Sequence, residues 1–401
     1  MVPKTTGSMI SYPEAQGLIR KNIRTLPSEK VSLSESLKRV LAEDIYSDLD
    51  MPPFDKSAMD GFACRKADIK TPLLIRGTIY AGQEAHMKVN AGECVKIMTG
   101  APVPEGADTV IMIEETSTVD QDHILYTGHY SKSNICLKGE DMRKGDRLLS
   151  QGTLIYPQHI AMMAATGHTH VLAYDLPKVA IVASGSELVE PSVKPQGGKI
   201  RNSNAYNLLA QLRQINIGAD YKGIVSDQKH KLSDFLRKLI VNYDLILVTG
   251  GASQGEHDFV PVVLEELGLD LKFDRLAIQP GKPVSFAAGR NKFCFGLSGN
   301  PVSSFLQFEL LVKPFLYLMM GHEFEPPVQL APLFRSRKRK KADRMLYFPV
   351  IINVSGQAEE IPFNGSAHIT GLNDADGFAI FPRDRLELTQ GELVEVLRIR
   401  K

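Results

Sequence analysis

The stretch 245-LILVTGGASQGEHDF-259 decides the fold of this chain, because a continuous apolar run ends in small, polar and acidic residues. A short run such as Leu245 to Val248 is typical of a strand that is covered on both faces of a parallel sheet. Gly250 and Gly251 let a phosphate approach the backbone, and the N–H groups at the start of a following helix point at such an anion. The stretch therefore predicts a buried strand that leads into a ligand-binding loop.

The same pattern occurs at two other strand ends. Val179 to Ala183 precedes 184-SGSE-187, and Phe293 to Leu297 precedes 298-SGNP-301. Helical periodicity between the apolar runs predicts an α/β domain with a doubly wound, mostly parallel sheet, in which ligands bind beyond the carboxyl ends of the strands. A single glycine-rich loop is equally well explained as a tight turn, whereas three such loops favour a binding site.

These loops supply the candidate site residues. The small and polar candidates for nucleotide or substrate binding are Gly250, Gly251, Ser253, Ser298 and Asn300. The acidic candidates, which suit a metal ion or a ribose, are Glu187, Asp227 and Asp258. Lys282 lies between two prolines in 280-PGKP-283 and loses little entropy when it binds an oxyanion, although such a segment alone is typical of a surface turn.

The remaining chain divides by pattern into further domains. Ser11 with Glu14 and Ser32 with Glu35 form capping-box patterns that predict two short helices. Short apolar runs between glycine- and proline-rich turns predict a small β-rich domain, and residues 345–400 predict a C-terminal β-barrel or sandwich. The predicted domains are a discontinuous mixed domain (9–47 and 143–176), a small β-rich domain (48–142), the doubly wound domain (177–326) and the C-terminal barrel domain (327–401).

Composition narrows the class of protein. The chain has 401 residues with 47 Lys and Arg against 46 Asp and Glu, and this balance argues against a dedicated nucleic-acid-binding or membrane-surface protein. Four widely separated cysteines predict no structural metal site and fit a reducing, cytoplasmic location. The most apolar stretch, Val302 to Met320, includes Glu309 and Lys313, so we expect a core helix and no membrane span.

Six stretches in order closely resemble the MoeA family of molybdopterin molybdenumtransferases, which includes the E domain of gephyrin. They are 52-PPFDKSAMDGFA-63, 97-IMTGAPVPEGAD-108, 139-GED-141, 249-TGGASQGEHDF-259, 277-AIQPGKPVSF-286 and 296-GLSGNPVSS-304. The resemblance runs nearly end to end. It implies a four-domain homodimer that transfers molybdenum from molybdate to adenylylated molybdopterin, with release of AMP in a Mg²⁺-dependent step. It also implies an upstream molybdopterin adenylyltransferase as a partner.

The resemblance also assigns roles by position. It implies catalytic roles for Asp60, Asp141, Glu187, Asp227 and Asp258. Thr99 joins the binding residues, Asp227 and Asp258 would hold the metal, and molybdate would lie against Lys282, Arg344 and Ser366. A dianion needs basic and hydroxyl donors, and cleavage of a pyrophosphate linkage needs a cation held by carboxylates.

Three departures from the family pattern bear on activity. The family commonly has Arg at Cys136, Lys at Gln279 and Pro at Ser298, so positive charge is lost at two positions. These departures motivate an alternative, a binding or scaffold protein with little turnover, as in receptor anchoring by gephyrin. A molybdopterin adenylyltransferase is a further alternative. The basic run Arg335 to Lys341 is interpreted as a solvated linker, because the total charge is close to neutral.

Overall fold

The computed structural model of the chain describes residues 9–129, 132–250 and 259–400. A π-helical segment, Phe308–Val312, connects the last two helices. Short 3₁₀ turns lie at Leu33–Glu35, Lys66–Asp68, Ile113–Glu115 and Ile369–Leu372. The α-helices are α1 (Tyr12–Asn22), α2 (Pro157–Ala165), α3 (Asn204–Gln214), α4 (Lys229–Ile240), α5 (Val260–Glu266), α6 (Pro301–Gln307) and α7 (Lys313–Met319).

The strands are labelled in chain order. The first are β1 (Ser28–Ser32), β2 (Ile45–Tyr46), β3 (Lys56–Ser57), β4 (Gly61–Cys64), β5 (Leu73–Ile79), β6 (Glu93–Ile97), β7 (Thr109–Met112), β8 (Thr116–Thr118), β9 (His123–Tyr126), β10 (Ile135–Cys136), β11 (Arg147–Leu149) and β12 (His170–Tyr174). The others are β13 (Val179–Ser184), β14 (Leu188–Val189), β15 (Ile200–Arg201), β16 (Ala219–Val225), β17 (Leu245–Thr249), β18 (Asp270–Arg275), β19 (Ile278–Gln279), β20 (Pro283–Ala288), β21 (Phe293–Leu297), β22 (Val328–Pro332), β23 (Arg337–Lys338), β24 (Met345–Ile352), β25 (Ala358–Glu360), β26 (Gly377–Phe381), β27 (Glu387–Leu388) and β28 (Leu393–Arg398).

A mixed six-stranded sheet carries the three predicted loops. Its order is β16-β13-β17-β21-β20-β18, with the first four strands parallel and the last two antiparallel to their neighbours. Val182 packs in a core cluster with residues of α4 and α5, whereas Ile181 packs in a separate cluster with residues of α3 and α6. Both faces of the sheet are therefore covered, which explains why its central strands are continuously apolar.

The C-terminal sheet has the order β19-β24-β26-β28-β22, and β25 pairs with β24. The region 345–400, which the sequence predicts to be rich in strands, contains β24, β26 and β28. The parallel pairing of β19 with β24 fixes the 280–283 loop against this sheet. The segment around residue 279 and the segment around residue 345 are thereby brought side by side.

The two helices predicted at the start of the chain have different outcomes. Helix α1 begins after Ser11 with both hydrogen bonds of the capping box in place, as predicted. The helix predicted after Ser32 is wrong, because Ser32 ends β1 and only a 3₁₀ turn follows. Lys38 adopts a φ of 60°, which ends any helix, and Val40 and Leu41 instead form bridges to extended backbone.

The described chain divides into two compact units. The main unit comprises 9–42, 152–156, 170–250 and 259–400, and the small unit comprises 43–129, 132–151 and 157–169. The small unit contains the sheet β7-β4-β6-β5-β9-β8, in the region predicted to be β-rich. The returning segment pairs with the N-terminal one through β1–β12 in the main unit and β2–β11 in the small unit. The four-domain boundaries stay a prediction.

The segment Pro301–Met319 is long and apolar enough to cross a membrane, but 83% of its most apolar window is buried inside the protein. Phe308, Phe315 and Leu316 are fully buried in the core beside the mixed sheet. The segment is therefore the core helix that the sequence predicts.

Candidate active site

The main unit contains an open cavity of about 570 Å³ between the mixed sheet and the C-terminal sheet. Five cationic side chains line it, and no Asp or Glu is among its lining residues in the described part of the chain. Because cations attract anions, we call this cavity the oxyanion pocket. Its polar and charged lining residues are Gln279, Lys282, Ser298, Asn300, Ser303, Arg337, Lys338, Arg339, Arg344 and Ser366.

The predicted molybdate residues Lys282, Arg344 and Ser366 all line the oxyanion pocket, although they lie far apart in sequence. Lys282 lies in the loop between β19 and β20, and its carbonyl oxygen accepts a hydrogen bond of 2.9 Å from the Leu276 N–H. The Ser366 carbonyl oxygen accepts a hydrogen bond of 3.1 Å from Val302 N–H, in the first turn of α6. Backbone hydrogen bonds thus hold the loops that bear both residues.

Arg339 is a residue that the sequence analysis did not select. Its guanidinium donates to three carbonyl oxygens, those of Arg344 at 2.6 Å, Pro382 at 2.6 Å and Arg385 at 2.8 Å. It also lies over the ring of Phe381, with the guanidinium carbon 4.4 Å from the ring centroid. Burial lowers the pKa of Arg339 from its ordinary value. Arg339 therefore clamps the backbone of Arg344 at the pocket wall.

The interpretation of the basic run as a solvated linker is wrong for Arg337 and Arg339, which are half-buried at the pocket. Arg337 lies over Phe348, with the guanidinium carbon 4.2 Å from the ring centroid, and forms an ion pair with Glu360. Burial lowers the pKa of Arg337. The neighbouring side chain of Lys338 is 73% exposed and pairs with Glu387. Arg337 and Lys338 thus both line the pocket but differ in exposure.

A second cavity of about 310 Å³ lies at the ends of β13 and β17, and we call it the loop pocket. It contains three residues that the sequence predicts for the site, Glu187, Gly250 and Asn300. Asn300 also lines the oxyanion pocket, so the two cavities adjoin. The other lining residues are Ser184, Leu188, Ile200, Arg201, Asn202, Ser203, Asn204, Thr249, Gly299, Pro301, Ala367 and Ile369.

Asn204 joins the loops of the loop pocket, although no sequence motif indicates this role. Its amide nitrogen donates to Thr249 Oγ1 at 2.9 Å and to the Gly299 carbonyl oxygen at 2.8 Å, which joins the loops after β17 and β21. Its amide oxygen is buried and has no hydrogen-bond partner in the described structure. A buried acceptor left unpaired at the wall of a cavity fits a site where a ligand supplies the donor.

Gly250 cannot be replaced without displacing a neighbouring strand. Its φ of 89° is in the left-handed region, and a Cβ atom there would lie 2.1 Å from the carbonyl oxygen of Ser184. A strand end therefore requires glycine at position 250, and the approach of a phosphate to this backbone stays a prediction. Gly251, Ser253 and Asp258, which complete the predicted loop, lie outside the described residues.

Two predicted carboxylates lie on the loops after β13 and β16. Asp227 accepts a hydrogen bond from the hydroxyl of Ser186, and Glu187 lines the loop pocket. No cluster of three or more His, Cys, Asp or Glu side chains suited to a metal occurs in 9–129, 132–250 or 259–400. The described residues thus supply oxygen donors at this position without a complete set of ligands.

Three other predicted residues lie in the small unit. Asp60 accepts hydrogen bonds from the Thr99 N–H at 2.6 Å and from the Thr99 hydroxyl at 2.8 Å. The N–H bond, followed by the hydroxyl bond, lowers the pKa of Asp60. Asp141 is exposed. Burial and the neighbouring Glu140 raise the pKa of the Cys136 thiol, which disfavours the reactive thiolate.

Comparison with known proteins identifies the family to which this chain belongs. Three family models match successive parts of the chain: the MoeA N-terminal region (domain I and II) at 10–167, a probable molybdopterin binding domain at 180–317 and the MoeA C-terminal region (domain IV) at 333–399. A molybdopterin molybdenumtransferase of Bacillus subtilis (strain 168) is 34% identical over 93% of this chain and 90% of its own length. The chain belongs to the MoeA family.

Other members of the MoeA family agree with this assignment. A molybdopterin molybdenumtransferase of Staphylococcus epidermidis is 32% identical over 97% of this chain and 95% of its own length. The crystal structure of a molybdopterin biosynthesis MoeA protein from Pyrococcus horikoshii OT3 superposes with a TM-score of 0.82 at 31% identity. It covers 97% of this chain and 99% of the other.

Two of the departures from the MoeA family pattern lie in the oxyanion pocket. Gln279 is exposed at the rim, where it contributes no charge. Ser298 is 4% exposed, and its N–H donates to the side-chain oxygen of Gln307 at 2.9 Å. Arg337 and Arg339 were not among the predicted site residues, although both belong to the basic run Arg335 to Lys341.

Proposed function

We propose that this chain is a molybdenum insertase that transfers molybdenum from molybdate to adenylylated molybdopterin and releases AMP. The observation that carries the proposal is the pair of adjoining cavities in the main unit, one cationic and free of carboxylates among its described lining residues, and the other lined by loop residues. The first fits a small dianion, and the second fits part of an organic ligand. The names of the full-length relatives support this assignment over a molybdopterin adenylyltransferase.

The residues of the oxyanion pocket suit the binding and orientation of molybdate. Lys282 and Arg344 offer N–H donors with positive charge, and Ser366 offers a hydroxyl donor. Such charge-assisted hydrogen bonds are about twice as strong as neutral ones. The shared residue Asn300 lies between the two pockets, so bound molybdate would face the reacting end of an organic ligand. This arrangement gains rate by proximity, because both reactants are held in one orientation.

We also propose that carboxylates at the ends of the sheet strands hold Mg²⁺. Mg²⁺ prefers one or two carboxylates and completes its shell with water and phosphate oxygens, so Asp227 and Glu187 are suitable donors without a dedicated cage. Asp258 belongs to the same set through the family resemblance. When bound, Mg²⁺ would neutralise charge that develops as the pyrophosphate linkage is cleaved.

The proposal extends to the oligomeric state, the role of the small unit and the partner enzyme. We propose a homodimer, with Asp60, Thr99 and Asp141 contributing to the reaction, and an upstream adenylyltransferase that supplies the substrate. We also propose that the C-terminal strands close into a barrel. A bridge between Leu333, which follows β22, and Ala358 of β25 supports this closure.

The test is AMP release from adenylylated molybdopterin by the purified full-length chain. We expect release only when molybdate and Mg²⁺ are both present, and we expect the molybdopterin product to contain molybdenum. Molybdate binding without AMP release would instead support the scaffold alternative. Formation of adenylylated molybdopterin from ATP would support the adenylyltransferase alternative. Release of AMP at the same rate without molybdate would contradict coupling of the two events.

A further inference from the structure

Gln307, the last residue of α6, contacts both loops that form the floor of the oxyanion pocket. Its side chain is fully buried, and it does not line the pocket itself. Its amide nitrogen donates to the carbonyl oxygens of Gly281 and Pro283, each at 2.8 Å. Its amide oxygen accepts from the Ser298 N–H at 2.9 Å. One side chain thus connects the 280–283 loop to the loop after β21.

The three partners fix the orientation of this amide. Two carbonyl oxygens can only accept and a backbone N–H can only donate, so an amide turned by 180° would oppose all three. The bond to residue 298 also requires a residue with an N–H, which serine has and proline lacks. The side-chain amide of Gln307 is therefore fully hydrogen-bonded, and only one orientation of it fits its three partners.

The two carbonyl oxygens that Gln307 binds belong to the residues on either side of Lys282. The carbonyl oxygen of Lys282 itself accepts from Leu276 N–H, so three successive carbonyl groups are held. The fit is close, because a Cβ atom on Gly281 would lie 3.3 Å from the amide nitrogen of Gln307. The backbone that carries the Lys282 ammonium group is thus fixed relative to Ser298.

We propose that Gln307 is a positioning residue of this chain, which sets the distance between Lys282 and the Ser298 loop and thereby the affinity for molybdate. The inference rests on the proposed function, since molybdate is the anion assigned to the pocket. Gln307 acts through Lys282 and does not touch the substrate. Its loss should therefore raise the KM for molybdate more than it lowers kcat, because displacement of a binding group by about 1 Å is costly.

The experiment compares Gln307→Met with Gln211→Met in the full-length protein. Gln211 is a matched control, because it is a buried glutamine on α3 that donates to Glu309 at 2.9 Å, and it lines neither pocket. We expect both variants to lower the thermal unfolding midpoint. Only Gln307→Met should raise the molybdate KM in AMP release and the molybdate Kd in calorimetry, each about tenfold.

A second variant, Gln307→Glu, covers the case in which Gln307→Met does not fold. The buried carboxyl group keeps an acceptor for Ser298 N–H and, when protonated, can donate to at most one of the two carbonyl oxygens beside Lys282, so the molybdate KM should again rise. An unchanged molybdate KM in a folded Gln307 variant, or an equal rise in Gln211→Met, would overturn the inference alone. A wild-type chain that neither binds molybdate nor releases AMP would overturn the proposed function and this inference with it.

Discussion

The oxyanion pocket and the loop pocket adjoin at Asn300, yet they are built from different chemical groups. The oxyanion pocket presents five cationic side chains, whereas the loop pocket presents amide and hydroxyl groups with the carboxylate Glu187 and the single cation Arg201. Charge suffices to locate a small symmetric dianion, but a larger organic ligand must also be oriented by directional hydrogen bonds. The difference predicts that substitutions in the two pockets affect different substrates.

The largest effect should come from Lys282→Ala. Loss of a charged donor from the oxyanion pocket should raise the molybdate KM about 100-fold, because hydrogen bonds to charged groups contribute about 1.5–3 kcal/mol. The KM for adenylylated molybdopterin should change little. Steady-state AMP release measures both constants. Lys341→Ala is the control, since it removes the same charge from an exposed position outside both pockets.

Arg339→Lys should have the next largest effect. The substitution keeps the positive charge but loses the planar fork that holds three carbonyl oxygens, among them that of Arg344. The molybdate KM should rise about tenfold. Arg335→Lys provides the comparison, because Arg335 is exposed and does not line the pocket. An equal molybdate KM in Arg339→Lys and Arg335→Lys would show that charge alone determines the affinity for molybdate.

Asn204→Ala tests the loop pocket. It removes the donor that joins Thr249 and Gly299, so the KM for adenylylated molybdopterin should rise about fivefold, as expected for about 1 kcal/mol of lost hydrogen bonding. The molybdate KM should stay near the wild-type value. Asn207→Ala, on the same helix and outside both pockets, is the control. A rise in the molybdate KM alone would contradict the division of labour between the pockets.

The smallest effect concerns Asp60, a carboxylate held by neutral donors and not by cations. The Thr99 N–H and hydroxyl lower its pKa, so their stabilisation is present above the pKa of the unfolded state and is lost as pH falls through the folded pKa. Thr99→Val keeps the N–H and removes the hydroxyl. The pKa of Asp60 should therefore rise part-way toward its ordinary value, as measured by NMR titration of the carboxyl carbon. An unchanged pKa would show that the hydroxyl contributes nothing.

The mixed sheet was predictable because its signals are local. Leu245 to Val248 and Phe293 to Leu297 are apolar runs between turn residues, and each forms the expected strand. The capping-box pattern at Ser32 failed because a local hydrogen-bonding pattern cannot exclude tertiary pairing. Leu41 forms a bridge to Ala173, far along the chain, and this pairing prevailed over helix formation.

The candidate site was predictable only in part, because local sequence patterns do not reveal contacts between distant parts of the chain. Lys282 and Ser366 were assigned by family resemblance, and both line one cavity, where the Ser366 carbonyl oxygen accepts a hydrogen bond from Val302 N–H at the start of α6. Arg339 was not found, because its role depends on the ring of Phe381 and on three carbonyl oxygens that no short pattern reveals. Gln307 lies in the predicted core helix, and no short sequence pattern indicates its hydrogen bonds to two pocket loops.

Anomalous scattering from a crystal of the chain soaked with molybdate would test the central claim most directly. Data collected at the molybdenum absorption edge locate the metal without any assumption about the site. We expect a single strong peak in the oxyanion pocket, where the molybdate oxygens lie within hydrogen-bonding reach of Lys282, Arg344 and Ser366. A peak elsewhere, or an empty oxyanion pocket at saturating molybdate, would contradict it.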